Sequence, residues 1–263
     1  MKHVIGRLDD FLLDFGKLAA SASERAQALR RLEAATAWVE NHCYRSFASK
    51  VESRIYRGVN GAQLAIPGGD LAVVTAIEAD AAGGDSWATA LVVDDDYTLE
   101  PRSEPLPYWR VAFTAAQTDI RIRGNWGWFA TTETLGVTVQ GGGINASATA
   151  ITTSAAHGLC EGEVIVIESE QLYVADVPTN VTLTVERGVH GTTAASHAAG
   201  VTVYRRMYPP AIVEAVYFQA VRSLRSLQTG GAQMAGGSQF GQPMGSDWPM
   251  IRDALAYYRW LSF

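Results

Sequence analysis

No apolar run in this chain approaches the length a bilayer core demands. A membrane-spanning helix is therefore not expected. A secretory leader is not expected either, because Asp9, Asp10 and Asp14 break what would be its apolar stretch. Cysteine is scarce: Cys43 and Cys160 are the only two in 263 residues. The division expected from the sequence, a core at 1–135 plus 205–263 interrupted by 136–204, separates them, which argues against a structural disulfide and is compatible with a reducing compartment. A basic excess is also missing. Lys and Arg number 21 against 27 Asp and Glu, a net charge of −6, whereas a general nucleic-acid binder normally carries the opposite balance. DNA passing nearby without being gripped stays compatible with that charge. No Ser lies in a G-x-S-x-G elbow, and no Cys has a plausible base beside it in the pattern. Gly124-Asn125-Trp126-Gly127 lacks the Lys and the helix start of a phosphate loop. No catalytic residue, cofactor or metal is expected, and the chain reads as a non-enzyme.

What is present is a globular composition, 48% hydrophobic and 18% charged. The length allows one large domain or two modest ones. The chain is organised around Arg121-Ile122-Arg123-Gly124-Asn125-Trp126-Gly127-Trp128, after which the composition changes abruptly. Before it, Val4, Leu8, Phe11, Leu12 and Phe15 recur at roughly helical spacing. Ser21-Ala22-Ser23-Glu24 is a capping box, predicting a helix to about His42 with Ala28, Leu32, Ala35 and Val39 on its apolar stripe. From Ala48 the period falls to two. Strands are predicted at 48–57, 63–66, 73–79, 90–93, 97–100, 109–114 and 119–123, forming a small antiparallel sheet, with a hairpin signal at Asn60-Gly61.

Residues 137–204 have no Lys, Trp or Phe. Six acids (Glu161, Glu163, Glu168, Glu170, Asp176 and Glu186) face one base, Arg187, so nearly all the net charge lies here. Abundant Thr and Val predict strands near 148–153, 163–167, 171–177, 181–186 and 201–204. This is an inserted all-β module, barrel- or sandwich-like, with Gly141-Gly142-Gly143 as its hinge. Pro209-Pro210 then opens a helix whose stripe is Ile212, Val216, Ala220, Leu224 and Leu227. Residues 229–247, rich in Gly, Gln, Met and Ser, read as a mobile loop. Asp247 caps a last, aromatic helix. The expected organisation is a discontinuous core, 1–135 plus 205–263, interrupted by 136–204. The fold class is α+β: a helical core with a small antiparallel sheet and an inserted β-domain.

Two constellations invite a metal. His157, Cys160, His190 and His197 give H-x2-C and H-x6-H, spacings that match no familiar zinc site, and the bland reading as turn residues is preferred. Asp94-Asp95-Asp96 does not alternate as calcium loops do, so a solvated strand start is preferred. Arg54, Arg57, Arg121, Arg123, Arg205 and Arg206 make either a basic band or, more simply, salt bridges to Glu52, Glu100 or a neighbouring chain.

Several residue patterns recur in a set order: Leu32, Ala35, Val39 and Glu40 on a helix, then Arg45-Ser46-Phe47, then Arg54-x-Tyr56. Asp96-Tyr97-x-Leu99 follows ahead of Pro101, then Ile122-x-Gly124-x-Trp126-Gly127, Pro209-Pro210-Ala211-Ile212, and Tyr258-Arg259. In this order they resemble the head-tail connector (adaptor) proteins of tailed phages and gene transfer agents. The resemblance covers about residues 20–128 and 208–263. It implies a structural virion protein of the neck, assembled in the host cytoplasm and without enzymatic activity. It further implies a homo-oligomeric ring, usually a dodecamer, that docks on the portal protein and extends the DNA channel toward the next neck, stopper or tail protein. DNA would pass without sequence-specific binding, and no membrane is involved. In the family the C-terminal segment commonly contacts the portal, which maps here onto Trp248, Ile251, Leu255, Tyr258, Arg259, Trp260 and Phe263. Trp126 and Trp128 are expected to be packing residues at the core junction. The module departs from the family's pattern, although Arg187-Gly188-Val189-His190-Gly191-Thr192-Thr193-Ala194 and His197-x2-Gly200 are similar to small β-modules of phage structural proteins. An alternative reading makes it an accessory binder of a neck fibre, glycan or host surface. Its only rings besides the histidines are Tyr173 and Tyr204, which weakens a sugar-stacking version.

Overall fold

The computed structural model describes every residue except 1–2, 15, 18, 67–69, 81–82, 103–106, 129–130, 229–252, 254 and 259–263. It corrects the expected fold class. Of the described residues 39% are strand and 23% helix, in three α-helices and three antiparallel sheets, so the chain is mostly β rather than built on a helical core. The period-two patterning runs through residues 50–206, where the strands among the described residues take up about half of the positions. The last predicted helix and the Gly-rich loop lie largely outside the described residues. No helix among the described residues is long and apolar enough to cross a membrane.

Contacts divide the chain into two compact units. Among the described residues, one comprises Tyr44–Thr131 and His190–Thr193. Its strands are β1 (Lys50–Tyr56), β2 (Gly61–Ala65), β3 (Leu71–Ala79), β4 (Thr89–Leu91), β5 (Tyr97–Glu100), β6 (Arg110–Gln117) and β7 (Ile120–Trp126). They form two sheets, β1-β7-β3-β4 and β2-β6-β5, rather than the single sheet expected. Asn60-Gly61 does not close a β1–β2 hairpin, since β1 pairs with β7 and β2 with β6. Hydrophobic pattern decides this pairing over turn chemistry: Leu64, Ile77, Val111, Ile120, Ile122 and Trp126 all enter one apolar cluster.

The other unit comprises Met1–Cys43, Thr132–Val189 and Ala194–Arg259. It holds helices α1 (Leu8–Asp14), α2 (Ala22–Cys43) and α3 (Pro210–Gln228) together with six strands. The α2 capping box forms: Ser21 N donates to Glu24 Oε2 at 2.9 Å and Glu24 N to Ser21 Oγ at 3.3 Å. Ala28, Leu32, Ala35, Val39 and Cys43 make its buried stripe. The strands are β8 (Thr132–Thr138), β9 (Ala150–Thr152), β10 (Val164–Ile167), β11 (Glu170–Thr179), β12 (Thr182–Glu186) and β13 (Thr202–Arg206). Their order is β8-β13-β10-β11-β12-β9. The two edges then meet: Val139 bridges Thr153, Gln140 N donates to Thr152 O at 2.8 Å, and Ser154 N donates to Thr138 O at 2.9 Å. The sheet therefore closes on itself around Val137, Ile151, Ile165, Leu172, Leu183 and Val203, leaving little unpaired edge. Gly141–Gly143 turn within this closed sheet, since β8 precedes them. The sheet also packs on the helices. Val4 N donates to Gly162 O at 3.1 Å, Tyr173 Oη donates to Glu33 at 3.2 Å, and Arg25 is forked onto Glu161.

The close approach of β3 to β7 makes a direct prediction. A Cβ on Gly124 would lie 2.1 Å from Val73 O, a backbone atom that cannot swing aside. Gly124→Ala is expected to destabilise the protein by about 1–3 kcal/mol, seen as a lowered urea midpoint at unchanged m-value. An unchanged midpoint would contradict this packing.

Candidate functional site

The patterns that carry the adaptor resemblance are far apart in sequence but several of them meet in space. Trp126, the last residue of β7, is buried, and its indole Nε1 donates to Glu52 O at 3.1 Å. The Arg54 guanidinium lies 3.8 Å above its ring, and Arg54 Nε donates to Glu52 at 2.5 Å. One turn residue later, Gly127 has φ +143 and a Cβ there would lie 2.3 Å from Ala48 O, so glycine is required. Its amide donates to Asp70 O at 2.6 Å, and the Trp128 amide donates to Ser46 O at 2.9 Å. Arg45 closes the arrangement. Its guanidinium sits 4.2 Å from the Trp128 ring centroid and 2.9 Å from Asp70 Oδ1, with both side chains of that ion pair largely buried. Arg45, Ser46, Arg54, Trp126, Gly127 and Trp128 thus form one junction stacked from rings and guanidinium planes. Its polar groups are used in packing, and each buried ring contributes ~1.5–3 kcal/mol or more.

A second convergence lies in the closed sheet. The Glu170 side chain is fully buried at the start of β11. Arg187 forks onto it, Nε at 2.8 Å and Nη2 at 2.7 Å, and the amides of Gly188 and Ala195 donate to it at 2.9 and 3.0 Å. His197 Nε2 is 2.8 Å from Glu170, while its Nδ1 is 2.6 Å from Glu168. Arg187 also donates to the carbonyls of Asn145, Ala148 and Ala195. Burial alone would raise the Glu170 pKa. Arg187, the Ala195 amide, His197 and the Gly188 amide outweigh it and hold the carboxyl at about 2. The Arg187-Gly188…Ala194…His197 pattern is therefore a device that pins the β12–β13 connection to β11. Sequence reasoning missed Glu170, although one signal pointed there: Arg187 is the lone base in an acidic segment.

The remaining candidates are placed as follows. His157 accepts from Leu159 N through Nδ1 at 3.0 Å and faces Thr179 O through Nε2 at 3.3 Å, a neutral ring used within a turn. Burial, against the opposing carbonyl of Thr179, lowers its pKa. Cys160 is buried; burial first, and then the charge of Glu163, push its thiol far above the ordinary range, so it is a poor nucleophile or ligand. Among the described residues no cluster of His, Cys, Asp and Glu has the arrangement of a metal site. Asp96 caps its own turn by accepting from Val92 N at 2.8 Å. Arg57 pairs with Asp85 and Asp119, and Arg121 and Arg123 share Glu78, so these arginines are bridged rather than banded. Of the C-terminal set, Leu255 is buried and Tyr258 half-buried, edge-on to Tyr257 at 5.2 Å. Trp248, Ile251, Arg259, Trp260 and Phe263 lie outside the described residues.

The chain matches no protein-family model and no curated protein. Among solved structures it is similar to a chain in the "Neck of empty GTA particle computed with C6 symmetry". That similarity spans 97% of this chain and 90% of the other, at 12% sequence identity and a TM-score of 0.42. A likeness at that level carries no conclusion about this chain's fold or function.

The Glu170 node sets a pH dependence. Its folded pKa, about 2, lies below the ordinary 4.5, so its contribution to stability is present above about pH 4.5 and is lost as pH falls toward 2. Glu170→Ala is expected to cost about 3–5 kcal/mol, since it leaves Arg187 buried without its carboxylate and His197 with Glu168 alone. In Glu170→Gln the fall in stability between pH 4.5 and 2 should flatten. Urea titrations across that range check both, and an unaltered acid limb in Glu170→Gln would contradict the assignment.

Proposed function

We propose that the chain is a structural protein of a tailed-phage or gene-transfer-agent neck. In this reading it is a head-tail adaptor: copies form a ring, dodecameric as the resemblance implies. The ring docks on the portal, extends the DNA channel and offers a surface to the next neck or tail protein. One observation carries the reading. Arg45-Ser46, Arg54 and Trp126-Gly127, patterns that resemble the adaptor family's and are spread over about eighty residues, converge on one packed junction. A scaffold needs its signature residues for packing, whereas an enzyme needs them around a substrate. The modest negative charge suits a channel through which DNA slides, because a strongly basic wall would hold the phosphates. The chain turns over no substrate in this reading.

The accessory-binder reading of the β-module is weaker. The module shares its compact unit with α1, α2 and α3, and the Arg25–Glu161 fork and the Val4–Gly162 hydrogen bond tie it to them. Cutting out residues 137–204 would expose that packing, so the module behaves as part of the framework.

The adaptor reading predicts that purified chain joins purified portal as a ring. Negative-stain imaging of the mixture should show an added annulus at one end of the portal. A chain that stays apart from portal under every condition of salt and concentration would overturn it.

A further inference from the structure

Residues 3–7 run through the helix-containing unit without regular secondary structure. Three backbone amides fasten them to three different elements. Val4 N donates to Gly162 O, just ahead of β10, at 3.1 Å. Ile5 N donates to Thr36 Oγ1 on α2 at 3.1 Å, and Arg7 N donates to Tyr217 Oη on α3 at 2.7 Å. The segment is a strap. A cavity of about 320 Å³ lies against it, with Val4, Val164, Val213 and Tyr217 among its walls.

Beside the strap sits a carboxyl group that is poorly served. The Glu163 side chain is 4% exposed. Its Oε2 accepts from the Cys160 amide at 2.6 Å and the Cys160 thiol at 3.2 Å. Its Oε1 is buried and makes no hydrogen bond. Arg205 stands 3.5 Å from it and Arg7 3.7 Å, within ion-pair range only. Both arginines are also drawn elsewhere, Arg7 to Asp10 and the Gly158 carbonyl, Arg205 to Glu133. A buried charge so incompletely compensated is costly, and a proton removes much of that cost. Burial accordingly raises the Glu163 pKa above the ordinary 4.5. The Cys160 amide, Arg205, the Cys160 thiol and Arg7 oppose the rise without cancelling it. Burial also pushes the Cys160 thiol and the Tyr208 and Tyr217 hydroxyls far up, so these three neighbours keep their protons through the neutral range. Arg206, Asp10 and Glu214 line the same cavity. His3, on the strap itself, faces Glu40 rather than Glu163.

We propose that Glu163 makes residues 3–7 a proton-dependent strap. With the carboxyl protonated the strap stays seated on the closed sheet, and ionisation favours a lifted state in which water reaches the carboxylate. Well below pH 4.5 the carboxyl is protonated in both states and has no effect. As pH rises above 4.5 the lifted state gives up its proton first, so lifting becomes easier until the seated carboxyl has ionised too. Lifting takes Val4, Gly6 and Arg7 off the cavity and uncovers Val164, Val213 and Tyr217. Glu170 acts in the opposite sense and below pH 4.5, so the two carboxylates are separable.

Amide hydrogen exchange on the full chain tests this, with opening constants corrected for the intrinsic pH dependence of exchange. The Val4, Ile5 and Arg7 amides report on the strap. The Val185 amide, bonded to Thr149 O within the closed sheet, reports on opening of the unit as a whole. The strap amides should open more readily than Val185. Above pH 4.5 their opening constants should climb by up to about tenfold per pH unit and then level off. Glu163→Gln should abolish that climb, and Arg205→Met, which removes one opposing charge, should carry it to higher pH. Strap constants that do not climb, or a climb that survives Glu163→Gln, would overturn the proposal. Strap constants equal to that of Val185 at every pH would overturn it too, because the strap would then move only with the whole unit. Should Glu163→Gln not fold, a climb left unmoved by Arg205→Met would overturn it independently.

Discussion

The sheet β1-β7-β3-β4 depends on a backbone approach that only glycine allows. β7 lies between β1 and β3, and at Gly124 the neighbouring carbonyl of Val73 occupies the space where a side chain would begin. This constraint fixes how close β3 can come to β7, and so how Leu71, Ile77 and Ile122 meet in the same core. It also sets the end of β7. From there Trp126 turns inward under Arg54, and Gly127 takes a positive φ so that the chain can return past Ala48 and Asp70. The Arg45–Asp70 pair and the Trp128 stack rest on that geometry.

The closed sheet in the other unit solves a different problem. A small β-module has little apolar surface to bury. It compensates by pairing both of its edges and by placing one fully satisfied carboxylate, Glu170, at its polar centre. That carboxylate accepts from a forked arginine, a histidine and two amides, so the long β12–β13 connection is held by bonds that cannot be partly made without cost. Packing against the helices supplies the rest of the burial, through Val4, Tyr173 and Arg25.

Local signals were readable in the sequence wherever local chemistry decides the structure. The capping box at Ser21, the proline at the start of α3, and the strands within a few residues of their ends follow from propensity and period. Partition between sheets was not legible. Asn60-Gly61 looks like a hairpin, yet β1 and β2 diverge because their pairing is chosen by distant strands, β7 and β6. β8 was hidden because Thr132-Glu133-Thr134 is exposed and shows no alternation. The helical weight of the expected fold came from the resemblance, and the many short strands outweigh it. At the junction, Trp126 and Gly127 could be singled out from sequence, but their partners Asp70 and Ser46 could not, since contacts across twenty-five residues or more leave no local pattern.

The functional account rests on where a scaffold protein would sit, and location is the property to measure. Under the proposed function, phage-like particles purified from cells that express this chain can be labelled with gold-conjugated antibody against it and imaged. The account predicts gold confined to the junction between head and tail, in both full and empty particles. Gold on the capsid faces or at the tail tip, or purified particles lacking the chain altogether, would contradict it.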